Sequence, residues 1–210
     1  LHLRDFDDGI ADEPPVRIFV MGANRWIDLA DWPPPGAALQ KLFLAPDRKL
    51  TDTMPNRDGG DTYRYDPAQP VPTTGGANYW GMSPTCFGPQ DQRLIMKRGD
   101  VLSYRGPKLG HPLTVIGQPV ANLWLASDCE DTDLAVKLCV VEPGGRVVSV
   151  TNGAFRCRFR DSWSSPKPLQ PGVAALIRIP MAQTACRFPA GSRMMLQITS
   201  SCFPRILPNP

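Results

Sequence analysis

The residue types that could carry out nucleophilic catalysis are present in this chain, but not in a catalytic pattern. A serine hydrolase of the α/β type needs its nucleophile in a G-x-S-x-G turn, because that sharp turn exposes the hydroxyl. None of the ten serines has this setting, and the closest, Ser83, lacks the second glycine. The two histidines are His2, near the start, and His111, before a proline in a predicted turn. A general base must reach its nucleophile and be held by a third group. The sequence therefore predicts no catalytic triad and no catalytic residue.

Four acidic residues lie close together in "SDCEDTD", between two predicted strands: Asp128, Glu130, Asp131 and Asp133. Calcium takes several oxygen ligands, so the cluster could bind it, although the spacing does not match an EF-hand loop. The alternative, which we favour, is a polar turn whose carboxylates accept local backbone hydrogen bonds. We expect neither a metal nor a cofactor, but calcium at this cluster stays open.

Three arginines alternate with apolar residues in "RCRFR", at Arg156, Arg158 and Arg160. They could contact phosphates, but a single basic stripe without exposed aromatic residues is weak evidence for nucleic acid. The net charge of +3 is also too small to indicate a nucleic-acid partner. We interpret the run as the charged outer face of a strand, with Phe155, Cys157 and Phe159 on the inner face.

The six cysteines contain no C-x-x-C pair, which argues against a zinc or thioredoxin-like site. Cys139 and Cys157 lie inside strand patterns, as small core residues do. We expect free buried thiols, which favours a reducing, cytoplasmic compartment. No apolar run approaches the roughly 18 residues of a membrane span, so we expect no membrane partner.

The hydrophobic pattern has a period of two almost throughout, which predicts an all-β protein. Pro143-Gly144-Gly145 is the clearest turn signal, between strands at 132–142 and 146–150. Ten or so short strands with turns between them indicate a jelly-roll β-sandwich of the galactose-binding-like type. The remaining predicted strands lie at 16–21, 38–45, 61–66, 100–105, 113–117, 120–127, 172–180 and 192–200.

Residues 1–14 are polar, rich in acidic side chains and end in two prolines, which predicts a linker. The 24 prolines give about twice the usual share of about 5% and favour loops and strand edges over a helical bundle.

Several segments in a fixed order resemble the C-terminal domain of the X-Pro dipeptidyl-peptidase/cocaine esterase family of serine hydrolases. They lie at 14–37, 63–76, 91–104, 115–162 and 188–210, so that the resemblance covers residues 14–210. It implies a three-part enzyme, in which an α/β-hydrolase domain carries the triad and a helical cap covers the site. This chain would supply residues 15–210 as a jelly roll lacking its final strand, with residues 1–14 as the linker from the hydrolase domain.

The resemblance also implies a role for the loop that begins "PTTGGANYWGM". In the family, large side chains of this loop face the hydrolase domain and help to line the acyl pocket. Matched by position, the pocket or interface residues are Gly75, Gly76, Asn78, Tyr79 and Trp80. Glycines allow positive φ and close backbone approach, and Tyr and Trp offer broad apolar surface for a pocket wall. The alternative is that the two aromatic residues only pack under the loop.

The expected partners are the hydrolase and cap domains of the same polypeptide and a small ester, amide or peptide substrate, while homo-oligomerisation stays open. A competing hypothesis is a stand-alone carbohydrate- or ligand-binding module, because jelly rolls of this type often bind sugars with exposed aromatics. Its stacking residues would be Trp26, Trp32 and Trp80.

Overall fold

Strands make up almost all the regular structure of the computed structural model, which describes residues 9–57, 59–77 and 87–209. These described residues also contain three short 3₁₀ turns, at Ile10–Asp12, Ile95–Lys97 and Cys157–Phe159. The strands are β1 (Val16–Val20), β2 (Arg25–Leu29), β3 (Phe43–Ala45), β4 (Lys49–Thr51), β5 (Leu102–Arg105), β6 (Leu113–Gly117), β7 (Val120–Leu125), β8 (Asp133–Val141), β9 (Val147–Arg156), β10 (Ala175–Pro180), β11 (Thr184–Phe188) and β12 (Arg193–Thr199).

The larger layer is a six-stranded sheet in the order β3-β4-β5-β12-β8-β9. Its pairs are antiparallel except β4 with β5, which run parallel through Lys49 and Arg105. The long hairpin of β8 and β9 follows the predicted turn at Pro143-Gly144-Gly145, and a bulge interrupts its register at Leu138/Cys139. Bulges of this kind bend and twist the strand that carries them.

The opposing layer consists of two antiparallel ladders, β7 with β10 and β6 with β11. The β1–β2 hairpin joins this layer, because Met21 forms a parallel bridge with Cys186 in β11. Inward-facing side chains of both layers form one core, including Leu134 and Val136 from β8 and Ile177 and Ile179 from β10. Two sheets packed face to face over a shared core are a β-sandwich. The predicted all-β sandwich is confirmed.

The second face of the six-stranded sheet is also covered, by residues of the described segments 67–77 and 87–101. All nine residues of β8 are buried, so this strand has core contacts on both sides. Cys139 and Val141 form a second cluster, against which Met96 packs, and Val71, Ile95 and Val101 form a third. The two described segments that flank the predicted site loop are therefore part of the packed structure.

Several strand predictions need correction. Residues 61–66 are irregular and not a strand. The hydroxyls of their tyrosines form hydrogen bonds with residues distant in sequence. Tyr63 Oη lies 2.7 Å from Ser200 Oγ, and Tyr65 Oη donates to the Asn209 carbonyl at 3.0 Å. The strand expected at 38–45 begins only at Phe43. Three strands were not predicted: β2, β4 and β11.

The cysteines of the described part agree with the prediction of free buried thiols. Cys139, Cys157, Cys186 and Cys202 are buried and free, and Cys129 is free but exposed. Burial raises the pKa of Cys139 and of Cys157 to about 12. Cys86 lies outside the described residues. Within those residues, no helix has the length and apolarity that a membrane crossing requires.

Candidate functional site

Gly75 and Gly76 lie on the first arm of the predicted site loop, and Gly88 lies on the second arm. Gly76 and Gly88 form an antiparallel bridge: the Gly76 N–H donates to the Gly88 carbonyl at 2.8 Å, and the Gly88 N–H donates back at 3.0 Å. The two arms of the loop are thus joined at a stem. Asn78, Tyr79 and Trp80 follow directly, but they lie outside the described residues, so their predicted contacts remain untested.

Gly75 is required at the stem for two physical reasons. Its φ of +70° lies in the left-handed region, which side chains disfavour. A Cβ there would also stand 2.6 Å from the Gly88 carbonyl oxygen and 2.8 Å from Ser149 Oγ. The first arm therefore lies directly against both the second arm and β9.

Gln92 holds both arms from below. It is fully buried, and its backbone N–H donates to the Val147 carbonyl on β9 at 2.7 Å. Its side-chain amide Nε2 donates to the Thr74 carbonyl on the first arm at 2.9 Å and to the Gln90 carbonyl on the second at 3.0 Å. One side chain therefore fixes the spacing of the arms.

Lys137 lies beneath Gln92, in the middle of β8, and is only 5% exposed. Its Nζ donates to Gln92 Oε1 at 3.0 Å and to the Thr74 carbonyl at 3.3 Å. Burial lowers the pKa of this ammonium, because the low-polarity surroundings disfavour its charge. Sequence reasoning missed Lys137, although a lysine inside the apolar run "DLAVKLCVV" was the available signal.

The C-terminal segment fixes the chain that enters the loop. The Thr73 N–H donates to the Phe203 carbonyl at 2.6 Å, and the Phe203 N–H donates to the Val71 carbonyl at 2.9 Å. Thr73 Oγ1 donates to the Cys202 carbonyl at 2.9 Å and accepts from the Arg205 N–H at 3.2 Å. Residues 71–74 therefore have partners on two sides before the stem begins.

The arginine run is not an outer strand face, and that prediction is wrong. β9 ends at Arg156, and Cys157–Phe159 form a 3₁₀ turn, so the alternation does not continue. Arg156 makes two hydrogen bonds, of 2.9 and 3.1 Å, to the buried carboxylate of Asp133. Arg160 donates to the Lys167 and Pro168 carbonyls at 2.7 and 3.1 Å. These guanidinium groups stabilise the end of the sandwich.

The acidic cluster supplies some of the acceptors for these groups. Asp131 accepts from the Arg158 N–H at 3.0 Å and from Asn209 Nδ2 at 3.1 Å, and Asp133 also accepts from Asn209 at 3.2 Å. In the described part of the chain, no group of three or more His, Cys, Asp or Glu side chains could hold a metal ion. The carboxylates of Asp131 and Asp133 act as hydrogen-bond acceptors, but for groups distant in sequence and not for the local backbone that the polar-turn interpretation expected.

Histidine and tryptophan positions bear on the other functional hypotheses. The described residues contain one histidine, His111, which lies exposed in a bend before β6. Trp32 Nε1 donates to Gln183 Oε1 at 3.1 Å, and Trp26 packs edge-on against Phe19 with a centroid distance of 5.5 Å. Trp26 is 66% exposed, whereas Trp80 lies outside the described residues. Of the three tryptophans in the carbohydrate hypothesis, two are therefore described, and each of these has its own contact within the domain.

Comparisons with known proteins agree on one family. A family model described as "X-Pro dipeptidyl-peptidase C-terminal non-catalytic domain" matches residues 8–210. The chain is 37% identical over 213 residues to the cocaine esterase of Rhodococcus sp. (strain MB1 Bresler), covering 97% of this chain and 37% of the esterase.

Two solved structures are also similar. One is an aminopeptidase from a marine sediment Thaumarchaeota archaeon, with a TM-score of 0.85 and 34% identity over 94% of this chain and 34% of the other. The second is an α-amino acid ester hydrolase, with a TM-score of 0.86 and 32% identity over 95% of this chain and 35% of the other. The chain spans about a third of the length of each relative it matches.

Proposed function

This chain belongs to the family of X-Pro dipeptidyl-peptidase C-terminal non-catalytic domains, and we propose from this that it completes a larger serine hydrolase. In that enzyme the β-sandwich packs against an α/β-hydrolase domain and helical cap of the same polypeptide. The loop that begins at Gly75 reaches the acyl pocket, where Asn78, Tyr79 and Trp80 form part of the wall. The substrate is a small ester, amide or peptide.

The observation that carries the proposal is the fixed stem of this loop. A pocket wall works only if its side chains are held within fractions of an ångström by rigid surroundings. The Gly76–Gly88 bridge and the buried amide of Gln92 supply that rigidity at the point where the loop leaves the sandwich. Asn78 follows Gly76 by two residues, so the fixed stem limits where the proposed pocket wall can begin.

Exposed aromatic residues on the opposing layer support packing against another domain. Trp124 on β7 and Leu176 on β10 are directly opposite each other, and both point outward, with 73% and 48% exposure. Trp26 and Phe19 form a second exposed pair on the β1–β2 hairpin. Large apolar side chains paired on a sheet surface are typical of contact surfaces.

The test uses the full-length enzyme that contains this chain. Tyr79→Ala and Trp80→Ala are assayed on a series of activated esters with acyl chains of increasing length. We expect kcat/KM to fall and the preferred chain length to shift, because each truncation removes apolar wall. Trp163→Ala is the control, because it truncates an exposed tryptophan that packs on Phe155 at the far end of β9.

Unchanged kcat/KM across the acyl series in both loop variants would refute the pocket role. The isolated chain is assayed in parallel on the same esters. We expect no turnover above background, and robust serine-dependent turnover would overturn the non-catalytic assignment.

A further inference from the structure

We propose that Lys137 is a positioning residue, whose buried ammonium group orients Gln92 and thereby holds both arms of the loop stem in place. Its consequence for substrate preference rests on the pocket role proposed above, whereas its effect on the stem can be measured without that role. Lys137 lies in β8, on the sheet, and its partners Thr74 and Gln92 lie in the described segments on either side of the loop.

Burial of the Lys137 ammonium group has a free-energy cost. A buried ammonium is strongly disfavoured unless it has charged or polar partners. In the part of the chain that the structure describes, Lys137 makes no ion pair with a carboxylate. Its partners are two neutral oxygens, on Gln92 and Thr74. An apolar side chain of similar length would fill the position without this cost, so packing alone does not explain a lysine here.

The hydrogen bonds of Lys137 and Gln92 each have a defined direction. An ammonium group can only donate, so the Gln92 oxygen must face Lys137. The Gln92 nitrogen then faces the opposite way, toward the Thr74 and Gln90 carbonyls, to which it donates. Without the ammonium, the buried Gln92 oxygen would lose the donor that holds it, and the amide could move away from the two carbonyls. Lys137 thus holds the amide from the side opposite to the loop.

The hydrogen bonds of Lys137, Gln92 and Thr74 form a closed network. The Thr74 carbonyl accepts from both Lys137 and Gln92, so that the three groups form a triangle of hydrogen bonds. Thr74 precedes Gly75 on the first arm, and Gln90 follows Gly88 on the second by two residues. If either arm moves away from the other, it therefore breaks a hydrogen bond of this triangle or the bond from Gln92 to Gln90.

The experiment measures amide hydrogen exchange at Gly76 and Gly88, whose N–H groups bond to each other across the stem. In Lys137→Met, which keeps the length and removes the donors, we expect both amides to exchange at least tenfold faster. Amides in the β8–β12 ladder should be unaffected. Lys49→Met, which makes the same change at an exposed lysine on β4, is the matched control and should leave the stem unchanged.

A second variant covers the case in which Lys137→Met fails to fold. Gln92→Glu gives Lys137 a carboxylate partner but removes both bonds that Nε2 donates, so the stem amides should again exchange faster in a folded protein. Unchanged exchange at Gly76 and Gly88 in the folded variants would overturn the positioning role of Lys137.

The enzymatic consequence is tested separately in the full-length protein. We expect Lys137→Met to change the ratio of kcat/KM between long and short acyl esters, with the catalytic triad untouched. Faster exchange together with an unchanged ratio would leave the stem role in place and refute the pocket role of the loop. An altered ratio with unchanged exchange would refute the stem role instead.

Discussion

Two arginine–aspartate pairs in this sandwich have the same arrangement and differ in burial. Asp133 and Arg156 are cross-strand partners in β8 and β9, and Arg17 and Asp28 are cross-strand partners in β1 and β2. Each arginine donates its Nε to the carboxylate, at 2.9 Å and 2.7 Å respectively. The Asp133 side chain is 8% exposed, whereas that of Asp28 is 44% exposed. This difference gives an internal comparison of a buried with an exposed ion pair.

The perturbation is Arg156→Met, which removes the charge and keeps most of the apolar stem. Breaking a buried ion pair costs about 3–5 kcal/mol, because the remaining charge is left in a poorly solvated site. Two features move the expected loss to the lower end: the Arg156 side chain is 32% exposed, and Asn209 Nδ2 still donates to Asp133. We expect the free energy of unfolding to fall by about 2–3 kcal/mol.

The assay is urea unfolding at neutral pH, with Arg17→Met as the matched control. A loss of about 2–3 kcal/mol in a domain of this size lowers Tm by about 5–10 °C. Arg17→Met should change the midpoint by no more than the error of the measurement, because solvent already screens that pair. Equal losses in the two variants would refute the reasoning that burial sets the difference.

Two further predictions concern the loop stem and a buried tyrosine. Gly88→Ala should cost about 1 kcal/mol, since its φ of +62° is strained but its Cβ has open space. Gly75→Ala should cost about 1–3 kcal/mol more in the same urea assay, because its Cβ also meets backbone, and equal losses would contradict the close approach. Burial raises the pKa of Tyr63 to about 12 from an ordinary 10, so its stabilising effect is complete below about pH 10 and is lost as the pH rises through 12. Between those pH values, the free energy of unfolding should therefore fall less steeply with pH in Tyr63→Phe than in the unchanged protein. The same slope in both proteins would contradict this.

The alternation of apolar residues was sufficient to predict the fold class and most long strands. In β8, Leu134, Val136, Leu138 and Val140 point into the sandwich core, as the sequence pattern indicates. The short strand β4 and the half-exposed strand β2 have too few alternating residues for such a signal. The tyrosines at 61–66 have strand-like spacing, but their hydroxyls bond to distant residues and not to a neighbouring strand.

The functional details depend on contacts that a periodic pattern does not contain. Alternation assigns Lys137 to the solvent face of β8, whereas in the structure Thr74 and Gln92 lie over that face and bury it. Likewise, Arg156 alternates like an outward residue, yet the carboxylate opposite it is buried. The glycines of the stem could be recognised as permissive, but the proposed targets of Tyr79 and Trp80 belong to another domain.

The paired stem also affects how this domain can diversify. Because Gly76 and Gly88 bond to each other, the two ends of the segment between them lie side by side. Residues inserted or deleted between them leave the ladders of both layers in register. The entropy of closing a loop grows slowly, by about 0.6 kcal/mol for each doubling of its length. Related domains can therefore exchange this loop for longer, shorter or differently composed versions, as antibodies exchange their binding loops on a constant framework.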